Sequence, residues 1–306
     1  MRRPHPYAVL LAAVLAVSWA APLIRLTAAP ALAVAAWRLT LASLFLAPFF
    51  ARSRDRADWR GAGPRRRWIA VLAVLAGVAL ALHFASWITS LRLTSVAASA
   101  VLVSLSPVFA WLLSHLFLHE RPSRLQAGGI VLAVVGACVI ALGDADAAGR
   151  GALLGDLLAL VGALCGAAYL VIGRRLRAGL GLVAYVTPVY AVAAVLLLAW
   201  AAARGEAFRP YAVSDWAVFA ALAAGPMLVG HTGFNYALRY LPAYTVNVGV
   251  LAEPVGATLI AWALPAIAET PSPWTLAGGA VVLAGVALTL LGSAAPAVPA
   301  APRAQR

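Results

Sequence analysis

Polar residues in this chain fall in short clusters, and the stretches between them are almost wholly apolar. Ten such stretches can be read: Tyr7–Leu26, Pro30–Phe50, Trp68–Ser90, Ser95–Leu118, Leu125–Leu142, Ala152–Ile172, Leu180–Ala202, Trp216–Leu238, Ala243–Leu264 and Trp274–Leu291. Each approaches the ~20 residues that a helix needs to cross a bilayer. Backbone in hydrocarbon must satisfy its own hydrogen bonds, which predicts one helix for each run. The runs are too long and too continuous for the alternating strands of an outer-membrane barrel. The pattern therefore predicts an all-α integral membrane protein with ten transmembrane helices.

Composition agrees. Of 306 residues, 64% are hydrophobic and 11% charged, against roughly 45–50% and about 25% in a soluble domain. Disorder, collagen, a coiled coil and a secreted disulfide scaffold are excluded. Cys138 and Cys165 sit in apolar stretches, outside any CxxC or Cys/His pattern, and read as small hydrophobes.

The net charge of +13 raises the question of nucleic acid. All 23 basic residues are arginine, and they cluster in the polar gaps rather than forming a continuous basic face. That pattern sets membrane topology and excludes a nucleic-acid partner. A cytoplasmic N-terminus puts 17 arginines inside, including the run from Arg52 to Arg67, then Arg121, Arg124, Arg174, Arg175, Arg177 and Arg239. It leaves five outside (Arg25, Arg92, Arg150, Arg204 and Arg209) and Arg38 within the second run. Both termini are expected in the cytoplasm. The first run follows Arg2 and Arg3 like a signal peptide, but nine further runs favour a retained helix. The Ala/Pro tail from Ala294 is expected to be disordered. Abundant Ala and Arg without Lys point to GC-rich bacterial coding, and so to a bacterial inner membrane.

The second half repeats landmarks of the first. Glu120-Arg121-Pro122-Ser123 near the end of run 4 matches Glu269-Thr270-Pro271-Ser272 between runs 9 and 10. Gly128-Gly129 and Gly278-Gly279 follow. Pro107 and Pro254 precede the two glutamates by 13 and 15 residues, and His83 and His231 stand further upstream. Five runs per half is an odd number, so the two copies thread the membrane in opposite directions. Inverted repeats of this kind belong to secondary transporters, whose binding site lies near midplane between the repeats.

These landmarks, with Gly155-Asp156-Leu157-Leu158-Ala159-Leu160 opening run 6 and Arg174-Arg175 closing it, resemble the EamA-type permeases of the drug/metabolite transporter superfamily. The resemblance covers roughly residues 7–292. It implies two five-helix repeats, at 7–142 and 152–292, between a cytoplasmic segment 1–6 and a tail 293–306. It also implies a permease or exporter of small metabolites, amino acids or drugs. Ser18-Trp19-Ala20-Ala21-Pro22 departs from the more Gly/Asn-rich stretch of many relatives.

An ionisable group at membrane depth is expensive and reads as functional by default. Glu253, about ten residues into its run, is a candidate proton carrier, and Pro254 beside it loosens the helix. Pro107 and Pro254 are the candidate hinges. His83 and His231 occupy matching repeat positions, with Trp87 and Asn235 one turn on and on the same face. Arg38 could draw a carboxylate, pair with an acid or snorkel to the headgroups. Tyr236 and Trp111 complete the candidate substrate and proton set, among aromatics that include Tyr169, Tyr190, Tyr244 and Trp262. Asp156 reads as a helix-start charge, and Glu120 and Glu269 as caps or gate hinges. Gly162/Gly166 and Gly249/Gly256 read as close helix contacts.

No Ser-His-Asp spacing, Walker loop, HExxH or EF-hand pattern occurs, so no catalytic residue, cofactor or metal is expected. The expected partners are a small-molecule solute and membrane lipid, with a coupled proton and a second copy as further candidates. The leading expectation is a secondary transporter working by alternating access. The competing classes are a membrane enzyme acting on lipid, which needs polar groups converging at one surface, and a non-transporting scaffold subunit, which needs no matching polar residues in the two halves.

Overall fold

Proline positions decide where the long apolar runs break. The computed structural model describes residues 4–53, 59, 64–93, 102–103, 105–142, 152–206, 208, 210–267 and 273–292. Among them every regular element is helical: α1 (Pro6–Val17), α2 (Ala20–Arg25), α3 (Ala31–Arg52), α4 (Pro64–Leu93), α5 (Ser106–Leu118), α6 (Arg124–Leu142), α7 (Ala152–Arg177), α8 (Leu182–Ala203), α9 (Val213–Leu222), a π-helical stretch (Ala223–His231), α10 (Thr232–Ala237), α11 (Ala243–Val250), α12 (Glu253–Ala263) and α13 (Pro273–Leu291). Glu269 to Ser272, Arg150, Arg209, Arg2, Arg3 and the tail from Ser293 lie outside the described residues.

Seven helical segments are long and apolar enough to span a membrane: Pro6–Arg25, Ala31–Arg52, Pro64–Ser90, Leu153–Arg177, Leu182–Ala203, Val213–Ala237 and Ala243–Ala263. Three shorter apolar helices, Ser106–Leu118, Arg124–Val139 and Leu276–Leu291, fall in the other predicted runs. The exterior is as oily as the interior. Leu44, Phe45, Phe117, Leu153 and Val195 are all more than half exposed, which suits a surface solvated by lipid.

One helix per run was the expectation, and three runs depart from it. Run 1 turns at Ser18–Trp19, run 8 passes into the π-helical stretch at Ala223, and run 9 breaks after Val250. The cause is the same each time. A proline ring clashes with the carbonyl four residues back and withholds an N–H from it. Pro22, Pro226 and Pro254 stand four residues after Ser18, Leu222 and Val250. Pro188 lies inside an unbroken α8; there the Trp59 indole Nε1 donates to the Ala184 carbonyl at 2.9 Å and takes the place of the missing donor.

The helices pair across the two halves. α6 lies along α13, α4 along α7 and α3 along α8, while α1 lies along the π-helical stretch and α10. Small residues permit the close approach. The 149-residue separation of Glu120 from Glu269 recurs between Gly129 and Gly278 and between Gly136 and Gly285. These four glycines meet reciprocally. A Cβ on Gly129 would stand 2.7 Å from the Gly285 carbonyl oxygen, and one on Gly136 would stand 2.7 Å from the Gly278 carbonyl oxygen. The earlier residue of α6 thus meets the later residue of α13, so these equivalent helices run antiparallel. The predicted pair Gly249/Gly256 also marks a close contact, with Leu10 and Ser18 of the first run.

The Glu-Arg-Pro-Ser segment has a local explanation. Gln126 N–H donates to Ser123 Oγ at 3.2 Å, and Ser123 N–H donates to Gln126 Oε1 at 2.8 Å. This reciprocal box caps the start of α6. Ser123, rather than Glu120, is the cap.

Candidate functional site

Arg38 is carried by the middle of α3, and its side chain is 1% exposed. Its guanidinium carbon stands 4.6 Å from the centre of the Phe84 ring, a cation–π geometry. The Glu253 carboxyl and the Tyr190 hydroxyl are within electrostatic reach. No ion pair or hydrogen bond joins Arg38 to any described residue. Snorkelling is incompatible with this burial.

Phe84 gathers the two histidines that the repeat landmarks pair. His83, next to it on α4, has its ring centre 5.1 Å away, and His231 meets Phe84 edge-on at 5.4 Å. His83 Nδ1 lies 2.8 Å from the Gly162 carbonyl oxygen, and its ring stacks on Trp87 at 6.2 Å. The predicted Gly162/Gly166 pair explains this fit: a Cβ on Gly166 would stand 2.8 Å from His83 Nδ1. His231 also meets Phe234 and Tyr169, and its own Nδ1 is buried without a partner.

The π-helical stretch turns further groups toward this cluster. Thr232 Oγ1 donates to the Met227 carbonyl at 3.1 Å, and Tyr190 Oη lies 3.2 Å from Thr232 Oγ1. Asn235 donates through Nδ2 to the His231 carbonyl at 2.7 Å and to the Tyr169 hydroxyl. Its Oδ1 is buried and unpartnered. π-Helical bulges of this kind recur at functional sites because they re-aim side chains.

The two predicted hinges stand alike at helix starts: Pro107 is the second residue of α5, after Ser106, and Pro254 the second of α12, after Glu253. Ser106 Oγ donates to Asn247 Oδ1 at 2.8 Å, joining α5 to α11. Asn247 is 3% exposed, and its Nδ2 has no partner. Sequence reasoning missed Asn247. Its signal was available: an amide within an apolar run, seven residues before Pro254.

The expected site residues do not all converge. Arg38, His83, His231, Trp87 and Asn235 are linked by contacts, with Glu253 in electrostatic reach of Arg38. Trp111 instead faces outward, 38% exposed, on a shallow groove with Val108, Leu112, His115, Arg121 and Pro122. Tyr236 Oη donates to the Pro4 carbonyl at 2.8 Å and pins the start of the chain. Glu120 accepts a 2.9 Å bond from Arg174 Nε, and Arg174 Nη1 donates to the Leu238 carbonyl, also at 2.9 Å. This ties the ends of α5, α7 and run 8 together. Arg177 is 2% exposed, and its Nε donates to the Asn235 carbonyl at 2.9 Å. Two arginines read as topology signals are therefore structural bolts. Among the described residues, no group of three or more His, Cys, Asp or Glu could hold a metal ion.

The model of the EamA-like transporter family matches residues 5–142 and again 153–291. The chain belongs to this family. Its spanning-length apolar helices are those of a multi-pass membrane protein, and its relatives are named as transporters or exporters. An "Uncharacterized transporter YdfC" of Bacillus subtilis is 24% identical over 200 residues, covering 65% of this chain and 64% of the relative. A "Probable terminal-alkyne amino-acid exporter" of Streptantibioticus cattleyicolor is 29% identical over 193 residues, covering 62% of each. Each match spans less than two thirds of the relative's own length. A solved crystal structure shares the fold at TM-score 0.78 and 20% identity, covering 94% of this chain and 97% of that one.

Proposed function

We propose that this EamA-like transporter is a secondary active exporter of a small organic solute and works by alternating access. Ten crossings form two five-helix repeats, residues 7–142 and 152–292, threaded in opposite directions through a bacterial inner membrane with both ends in the cytoplasm. The solute binds between the repeats, among Arg38, Phe84, Trp87, His231, Asn235 and Glu253. The observation that carries this reading is the meeting of His83 and His231, equivalent residues of the two repeats, on the single ring of Phe84. A site built from equivalent parts of oppositely threaded halves can be reached from either side as the halves rock. The antiparallel glycine crossing of α6 and α13 supports the opposite threading. One chain supplies both repeats, so a second copy is not required.

Amino-acid-like solutes are the first class to test, on the strength of the named exporter among the relatives. Proton entry at Glu253 is the proposed driving force. Glu253 sits at a helix break near Arg38, and an exchangeable proton at mid-depth is how a carboxyl couples transport to a gradient. The test is purified protein in liposomes, given a panel of amino acids, sugars and cationic drugs with and without an imposed pH gradient. Gradient-driven accumulation of at least one solute is expected, with loss of the gradient response in Glu253→Gln. Accumulation of no solute from the panel overturns the transporter reading, and an unchanged gradient response in Glu253→Gln overturns the coupling.

A further inference from the structure

The most demanding group in the membrane interior is Arg38. A guanidinium carries five N–H donors in a planar fork and stays charged. Here it is 1% exposed, its Nε is buried without an acceptor, and no hydrogen bond from it reaches any described residue. An unpaired buried charge is among the costliest features a protein can carry. The Phe84 face at 4.6 Å offsets part of that cost but accepts no hydrogen bond. The nearest acid, Glu253, makes no ion pair with it among the described residues.

We propose that Arg38 is the anchor for a carboxylate on the transported solute. This deepens the exporter reading and rests on it. The planar fork matches a planar carboxylate in shape, donor spacing and charge. The surroundings indicate what the rest of that solute looks like. Phe84, Trp87 and Tyr169 make the cluster around Arg38 aromatic and apolar. His231 Nδ1 and Asn235 Oδ1 are both buried and unpartnered beside them. The ligand is therefore a small monocarboxylate with an apolar body, and the carboxylate sets its orientation. A solute recognised through a cation would leave the Arg38 donors empty and place like charges together.

The test compares carboxylic acids with their own primary amides, which keep the size but lose the charge. Six such pairs, among them leucine with leucinamide, phenylalanine with phenylalaninamide and 4-methylpentanoate with its amide, are bound to the full chain in nanodiscs by calorimetry. At least one acid is expected to bind about tenfold tighter than its amide, about 1.4 kcal/mol. In Arg38→Gln that ratio falls to near unity. Arg38→Lys, which keeps the charge and loses the fork, lies between. The ratio is measured within one folded, monodisperse sample, so a lower yield of a variant does not affect it, and Arg38→Lys decides the matter if Arg38→Gln does not fold. The proposal is overturned if no wild-type acid is preferred over its amide, or if the variants keep the preference. Liposome efflux of the same pairs separates the two readings. A preferred acid that binds but never moves counts against export and leaves the anchor standing. An amide exported as fast as its acid leaves export standing and removes the anchor.

Discussion

Single residues in this interior are held by other side chains and by carbonyls that prolines and turns leave free. Asn235 shows the arrangement. Its amide holds the His231 carbonyl and the Tyr169 hydroxyl, while its own carbonyl takes Arg177. Replacing Asn235 with Leu removes the donor to the Tyr169 hydroxyl and to the His231 carbonyl, while Arg177 keeps its backbone acceptor. Stability in detergent is expected to fall by about 1–3 kcal/mol, the cost of unsatisfied buried polar groups; a thermal unfolding series checks this. The Glu120–Arg174 pair is different, since both side chains are 23% exposed. Glu120→Gln is expected to cost less than about 1 kcal/mol. His83 was legible in the sequence as a polar residue in an apolar run. That its ring would rest over Gly166 and reach the Gly162 carbonyl was not, because those contacts come from a separate helix.

Elements in this chain are shaped by two small vocabularies, proline breaks and glycine contacts. Pro226 starts the π-helical stretch that aims Thr232 at Tyr190. Restoring an amide with Pro226→Ala lets this stretch relax toward a regular helix. Transport is expected to fall several-fold while the melting temperature holds or rises, because a helix-interior proline is removed. Liposome flux and thermal unfolding measured on the same preparation check both halves of that statement. The glycines separate by position. Gly136→Ala places a methyl group 2.7 Å from the Gly278 carbonyl oxygen, backbone that cannot yield without moving a helix. The expected loss is about 1–3 kcal/mol. Gly128 has nothing within 4 Å of a built Cβ, so Gly128→Ala is expected to be neutral or to gain up to about 1 kcal/mol in helix propensity. The sequence put both glycines in one apolar run and had no means of separating them, since only the crossing partner distinguishes a packed face from a lipid face.

The whole molecule is bolted at separate points around its cluster. At one end Glu120, Arg174 and the Leu238 carbonyl join three segments. Elsewhere the Thr27 hydroxyl donates to Asp215 at 2.5 Å, while Trp37 meets Trp216 edge-on at 4.8 Å, tying α3 to α9. Alternating access requires such bolts to open in turn. The proposed threading makes a direct prediction about sides. In a background with Cys138 and Cys165 replaced by Ala, Gly179→Cys is expected to react with a membrane-impermeant maleimide only from the cytoplasmic face. Ser214→Cys is expected to react only from the outer face. Both positions are exposed. Labelling of both from one face would contradict a crossing by α8, and the reverse sidedness would contradict a cytoplasmic N-terminus.

That this chain is a helical membrane protein, that its halves repeat, and which family it belongs to are all legible from the amino-acid order. Those properties follow from composition and spacing, which are local and additive along a chain in lipid. Which polar residues share a site emerges only once the helices are packed. Trp111 and Trp87 look alike as aromatics in apolar runs, yet one faces outward and the other stacks on His83. Arg174, Arg177 and Arg38 are the same side chain, yet two are satisfied by carbonyls or a carboxylate and the third is not. The reason is physical: in an apolar chain each polar group is defined by the partner it finds, and here most of those partners lie on another helix.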